Sequence, residues 1–159
     1  MTDYSHDIKL RQDEEDGIYD IHITDDGDFE TDDSFDINII MSLFVDSRAD
    51  SSEIVEPLRR RGFWGDLVLF SQENLKSGSK LWLVSGRNTK EQLNKAIDYT
   101  RKSLQWLINE KYVKNINVDG QQTINGIIIN IEFIVEDNNI SEFNFKLWEN
   151  GIVETIETL

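Results

Sequence analysis

The sequence predicts an α+β fold: a short N-terminal hairpin and helix, an irregular Trp-anchored segment, and one long helix packed on a C-terminal three-stranded antiparallel meander. Three observations carry this expectation. An apolar stripe at helical spacing runs from Leu93 to Ile108 behind a capping sequence. Alternate positions from Ile127 to Val135 are apolar, and a second alternating run, Phe143, Phe145 and Leu147, follows a polar stretch.

In chain order, residues 1–16 are polar, with six acidic residues against Lys9 and Arg11, and such a segment buries too little apolar surface to offset the entropy of ordering it. They are expected to form a mobile acidic arm, with residues 17–159 as a single domain. Tyr19, Ile21 and Ile23 then alternate with Asp20 and His22, and Asp26-Gly27 is a favoured turn before Phe29, the pattern of a small acidic hairpin. Asp32-Asp33-Ser34 offers capping oxygens to a buried helix over Phe35 to Val45, with Asp36 in the first turn, where negative charge suits the helix dipole. From Asp46 to Asn88 the pattern is irregular, with Pro57, the triplet Arg59-Arg60-Arg61, Gly62, Gly65 and Gly78-Ser79. A segment this long needs anchors, and Trp64 and Trp82 are expected to pin it by burying their rings.

Thr89 to Gln92 has the form of a capping box. Behind it Leu93, Ala96, Ile97, Leu104, Leu107 and Ile108 share one face, Glu91, Lys95, Asp98 and Lys102 lie off it, and Tyr99 and Trp106 widen it, with Trp106 a third structural anchor. Ile116 and Val118 alternate into the turn pair Asp119-Gly120. Ile127, Ile129, Ile131, Phe133 and Val135 hold one face, with Ile128 and Ile134 on the other. After a polar turn at Glu136 to Asn139, Phe143, Phe145 and Leu147 face the helix while Asn144 and Lys146 face away. Ser141 to Leu147 is expected at the sheet edge, its free main-chain groups available to extend a partner's sheet, so Phe143, Asn144, Phe145, Lys146 and Leu147 are candidate partner-binding residues.

Composition narrows the function classes. The 159 residues, 38% hydrophobic and 10% aromatic, fit one globular domain. Without cysteine there is no disulfide, thiolate metal site or Cys nucleophile. No apolar run approaches the roughly 20 residues that span a bilayer, and the first ten residues lack the pattern of a signal peptide, so a soluble protein made in the cytoplasm is expected. A net charge of -15, with 14 of the 31 acidic residues among the first 36, disfavours DNA phosphates and anionic lipid as partners.

No motif carries catalysis. Asp25, Asp26 and Asp28 around Gly27 invite a calcium reading, but an EF-hand loop with that glycine at its sixth position would begin at His22 and end at Asp33, which fails the ligand pattern. There is no Gly-x-Ser-x-Gly elbow, and His6 and His22 lie in the arm and on a short acidic strand. Any chain with 31 carboxyls offers a pair at glycosidase spacing, so that test selects nothing. The triplet Arg59, Arg60 and Arg61 beside Phe63-Trp64 combines cation and aromatic groups. In so acidic a chain these arginines are expected to pair with its own carboxylates or a protein partner's. The expectation is a non-enzymatic protein with no metal and no cofactor.

Three stretches, Leu43 to Ala49, Arg61-Gly62-Phe63-Trp64-Gly65-Asp66 and Gly78-Ser79-Lys80-Leu81-Trp82-Leu83, resemble in wording and order the tail baseplate wedge family of Mu-like phages. Ala96-Ile97-Asp98-Tyr99 and Leu104 to Ile108 resemble that family's long helix, and Asp26-Gly27-Asp28 its upstream turn, so the resemblance covers residues 17 to 148. That family is related to the sheath-initiating wedge subunit of T-even phages. The resemblance implies a structural role in the virion tail baseplate, assembled in the host cytoplasm, with other wedge subunits and tail sheath or tube proteins as partners. In those relatives a Glu-Pro-Arg motif at the end of the long helix docks on the wedge's core bundle. Here the corresponding stretch is Asn109-Glu110-Lys111-Tyr112. A rival reading from another class is an acidic DNA mimic, in which the N-terminal carboxylates occupy the groove of a nucleic-acid-binding protein.

Overall fold

The computed structural model describes residues 7–12, 19–32, 36–66, 77–84, 89–135, 140–148 and 153–156. The chain divides into two compact units, residues 1–41 and 42–159. In the first, β1 (Asp7–Ile8) pairs antiparallel with β4 (Thr31–Asp32), and β2 (Leu10–Gln12) with β3 (Tyr19–Ile21). The acidic hairpin is present: Ile23 bridges Phe29 across a turn in which Gly27, at φ +85°, takes a left-handed conformation that side chains disfavour.

Residues 7–12 correct the expectation of a mobile arm, because they form β1 and β2. The physical reason is a local partner for a scarce cation. The Lys9 N–H donates to the Glu30 carbonyl at 2.8 Å, and Lys9 Nζ pairs with Glu30 Oε1 at 3.4 Å. The rest of the expected arm lies outside the described residues.

α1 (Asp36–Phe44) falls within a residue of its expected bounds and buries Ile39 and Leu43. Its expected capping residues Asp33 and Ser34 lie outside the described residues.

In the second unit α2 (Lys90–Asn109) opens at Thr89, whose Oγ1 accepts from the Gln92 N–H at 3.3 Å. Ala96, Thr100, Leu104 and Leu107 form its buried face. The helix ends where Lys111 turns left-handed at φ +65° and the Tyr112 N–H donates back to the Leu107 carbonyl at 2.9 Å. The stretch Asn109 to Tyr112 is therefore a helix C-cap.

The sheet runs β5 (Asn115–Thr123), β6 (Gly126–Ile134), β7 (Ile140–Trp148), β8 (Val153–Ile156), with every neighbouring pair antiparallel. The expected three-stranded meander is thus present and gains a fourth strand. Register aligns Val118 with Ile131, Ile129 with Phe145 and Ile127 with Leu147, which collects these residues on one buried face. Each fully buried aliphatic side chain contributes about 1.5–3 kcal/mol, so this face dominates the stability of the unit. Phe44 packs edge-on against Phe145 at 5.4 Å.

Two expectations about the sheet change. Asp119-Gly120 is not a turn, because β5 continues to Thr123 and turns at Ile124-Asn125. Gly120 instead makes room for the helix: a Cβ there would lie 2.9 Å from Leu93 Cδ1 and 2.8 Å from Ile129 Cδ1. Nor is β7 a free edge, since Asn144 to Leu147 pair with β8. The alternation of Phe143, Phe145 and Leu147 fixes which face is buried, but a short further strand leaves no mark on that pattern.

Candidate functional site

Between α1 and α2 the described chain forms a loop closed at its neck. The Ser47 N–H donates to the Ser79 carbonyl at 2.8 Å, the Ser79 N–H to the Val45 carbonyl at 2.9 Å, and the Ala49 N–H to the Arg60 carbonyl at 2.9 Å. Gly78 is required at this neck: at φ +75°, a Cβ would lie 2.0 Å from the Val45 carbonyl oxygen. Gly62, at φ +116°, lets Arg48 pass; a Cβ there would meet Arg48 Cβ at 2.9 Å.

Residues 50–59 bulge from the neck and include one 3-10 turn at Pro57–Arg59. Cationic side chains hold their backbone. Arg48 donates to the carbonyls of Arg61 and Pro57, each at 3.1 Å. Arg60 donates through Nε to Ile54 at 2.7 Å and through Nη2 to Val55 at 2.9 Å. Lys80 Nζ bridges Asp50 at 2.6 Å and Glu53 at 2.8 Å, and the Tyr99 hydroxyl of α2 donates to Glu53 Oε1 at 3.1 Å, tying the loop to the helix. Burial pushes the Glu53 carboxyl up, but hydrogen bonds from Lys80, the Asp50 N–H and Tyr99 outweigh it and leave the pKa below its ordinary value. Burial lowers the Lys80 ammonium, and its two carboxylate partners reverse that, leaving it raised. Burial and Glu53 together raise Tyr99.

The arginine triplet therefore has three fates. Arg60 clamps the loop from within. Arg61, left-handed at φ +47°, pairs with Asp46 at 3.0 Å and lays its guanidinium 4.7 Å from the centre of the Trp82 ring. Arg59 is 76% exposed at its side chain and, among the described residues, meets Glu56 in a 3.6 Å pair one turn back.

Trp82 and Trp106 each donate a hydrogen bond from the indole N–H. Trp82 is half-buried and its Nε1 donates to the Ser47 carbonyl at 2.8 Å. Trp106 donates to Ser42 Oγ at 3.0 Å and packs edge-on against Tyr112 at 5.6 Å. Trp64 is a correction, being 74% exposed. Phe63 takes the inward place, half-buried and folded over Gly65 so closely that a Cβ there would lie 2.3 Å from its ring, and the next side chain points out. Arg48 and Lys80, which the sequence did not single out, do most of the holding. Neither the carbonyl bonds of Arg48 nor the ion pairs of Lys80 with residues 27 and 30 positions upstream leave a periodic signal.

On the sheet, Phe145 and Leu147 belong to the core and Phe143 is half-buried, whereas Asn144 and Lys146 lie half-buried on the opposite face. That face holds a shallow depression of about 470 Å³ lined by Asn117, Asp119, Asn130, Glu132, Glu142 and Asn144. Glu132 accepts from Asn117 at 3.1 Å and stands directly opposite Glu142. In the acidic turn, a hydrogen bond from the Thr24 hydroxyl holds the Asp26 carboxyl below its ordinary range. Among the described residues no group of three or more His, Asp or Glu side chains is placed to hold a metal ion, and no helix is long and apolar enough to cross a membrane.

Comparison with known proteins finds similarity over most of the chain. Residues 36–140, from the start of α1 to the start of β7, match the family described as phage protein GP46. The baseplate protein gp46 of Escherichia phage Mu is 35% identical over 135 residues, covering 82% of this chain and 90% of its own length. The Mu-like prophage FluMu protein gp46 of Haemophilus influenzae is 29% identical over 117 residues, covering 72% and 78%.

Proposed function

The chain belongs to the phage protein GP46 family, and from that premise we propose that it is the baseplate wedge subunit on which the first ring of tail sheath is built. The coarser part, a structural protein of the phage tail baseplate, follows from the family and its Mu member. Its product in this reading is a geometry and not a reaction.

The observation that supports the finer part is the open sheet. An antiparallel sheet ending in a short strand presents main-chain donors and acceptors to a neighbour. Because β8 pairs with β7, the place for strand addition moves outward from Asn144 and Lys146 to β8. At the other edge, Arg101 donates to the Val118 carbonyl at 3.4 Å, so β5 is partly occupied by its own helix. Sheath or tube proteins would add at β8, other wedge subunits would bind elsewhere on the same body, and assembly would take place in the host cytoplasm before the virion is complete.

The test is removal of the chain from the parent phage or prophage, followed by electron microscopy and mass spectrometry of purified tails. The expected result is that wild-type tails contain the chain and that its loss leaves tubes or baseplates without sheath. Normal contractile tails in its absence would overturn the proposal.

A further inference from the structure

We propose that the clamped loop is a preformed docking knob, whose tip inserts Val55 and Leu58 into an apolar recess edged by carboxylates on another tail protein. The inference rests on the baseplate reading and names a second contact, separate from the sheet edge. Leu58 is fully exposed and Val55 is 82% exposed, and Trp64 stands just beyond the neck at 74%. Of the four large apolar side chains exposed among the described residues of the second unit, three lie on this segment; the fourth, Ile124, sits alone on the β5–β6 turn. Single exposed apolar groups are ordinary, but a concentration of them on one held loop marks an interaction surface.

The holding is the second observation. Arg48, Arg60 and Lys80 fix residues 50–59 through carbonyls and carboxylates, yet the side chains displayed at the tip gain nothing inside the molecule from being fixed. A loop ordered before binding loses little entropy on binding, which is the condition for a few apolar groups to act as an anchor. Charge selects the occupant. Of the acidic groups on residues 50–59, Asp50 and Glu53 are engaged by Lys80, which leaves Arg59 beside Leu58, among the described residues, with an exposed pair to Glu56 that is too weak to compete with a better-placed partner. A carboxylate at the rim of an apolar recess satisfies both groups at once.

The experiment uses whole tails. Position 58 is replaced by the photocross-linker p-benzoylphenylalanine, tails are purified and irradiated, and the linked peptide is sequenced by mass spectrometry. The expected product joins this chain to an apolar stretch flanked by Asp or Glu in a different tail protein. In parallel, Leu58→Asp should lower incorporation into tails by more than roughly tenfold, the size of an interface hot spot. Ile124→Asp should leave incorporation within about twofold, as expected for an exposed group outside the interface. Arg59→Glu should weaken incorporation and Arg59→Lys should largely preserve it.

Absence of the chain from wild-type tails would overturn the baseplate reading itself. Its presence there, with Leu58→Asp incorporated normally, would overturn only the docking knob. Cross-links confined to a second copy of the chain or to nucleic acid would also overturn it. Should Leu58→Asp melt below wild type, Leu58→Ser and the cross-link decide instead.

Discussion

The helix–sheet body and the clamped loop are held together by opposite means. In the body, apolar side chains from α2, β5, β6 and β7 bury one another, and charged groups stay outside. In the loop, Arg, Lys, Asp and Glu side chains hold the backbone, and Val55, Leu58 and Trp64 point outward. The body is ordered for its own stability and the loop for display. Substitutions should therefore cost stability in the body and at the loop's neck, and function at the loop's tip.

The largest effect is expected in the body. Phe145 is fully buried, opposite Ile129 and edge-on to Phe44. Phe145→Ala should cost about 3–5 kcal/mol in urea denaturation. A loss below about 1 kcal/mol, the level of many surface changes, would mean that the sheet face is not the main source of stability. Next comes the neck: Gly78→Ala forces a Cβ to 2.0 Å from a carbonyl oxygen at a left-handed φ, and should cost more than roughly 2 kcal/mol. Hydrogen exchange sharpens the comparison here, because the variant should lose protection in residues 46–66 before α2 and the sheet lose theirs.

A smaller effect follows from the Lys80–Glu53–Tyr99 cluster. Glu53 has a folded pKa below its ordinary value, so its contribution is present above roughly pH 4 and is lost as pH falls through the folded value. Lys80 and Tyr99 are raised, so theirs is present below roughly pH 10 and is lost as pH rises through their folded values. Glu53→Gln should lower stability near neutral pH by about 1 kcal/mol and flatten the acid limb of the melting profile. An unchanged acid limb would show that the cluster does not hold the loop to α2.

The two regions also differ in how far they can be read from sequence. Burial by periodic side chains writes itself into the chain, so α2 and the β5–β7 meander follow from spacing alone. Of the five positions that the alternation names, Ile127, Ile129, Ile131 and Phe133 are buried, and Val135, just past the end of β6, is half-buried. Gly120 looked like a turn because a glycine in a strand and a glycine in a turn are the same letter; what distinguishes them is Leu93, 27 positions upstream. β8 is invisible because four residues after a gap carry too little pattern. In the loop almost nothing is periodic. Arg48 and Arg60 act through carbonyls, which every residue has, so no side-chain partner in the sequence announces them. The resemblance to Mu-like phage baseplate proteins takes in Trp64 and Trp82 alike and does not say which tryptophan faces inward.

That tryptophan supplies the smallest stability effect and the cleanest separation of the two principles. Trp82 has a hydrogen bond to Ser47 and a guanidinium over its ring, whereas among the described residues Trp64 has its ring neighbour in Phe63, 5.5 Å away, and is 74% exposed. Trp82→Ala should therefore cost about 1–3 kcal/mol through the lost hydrogen bond and cation–π contact. Trp64→Ala should fall within about 0.5 kcal/mol of wild type, as surface changes do. Size cannot explain such a difference, because both substitutions remove the same side chain. Phe63→Ala serves as the inward control and should resemble Trp82→Ala. If Trp64→Ala is as destabilising as Trp82→Ala in matched urea titrations, the loop buries its aromatics as the body does, and the contrast between stability and display fails at its most exposed point.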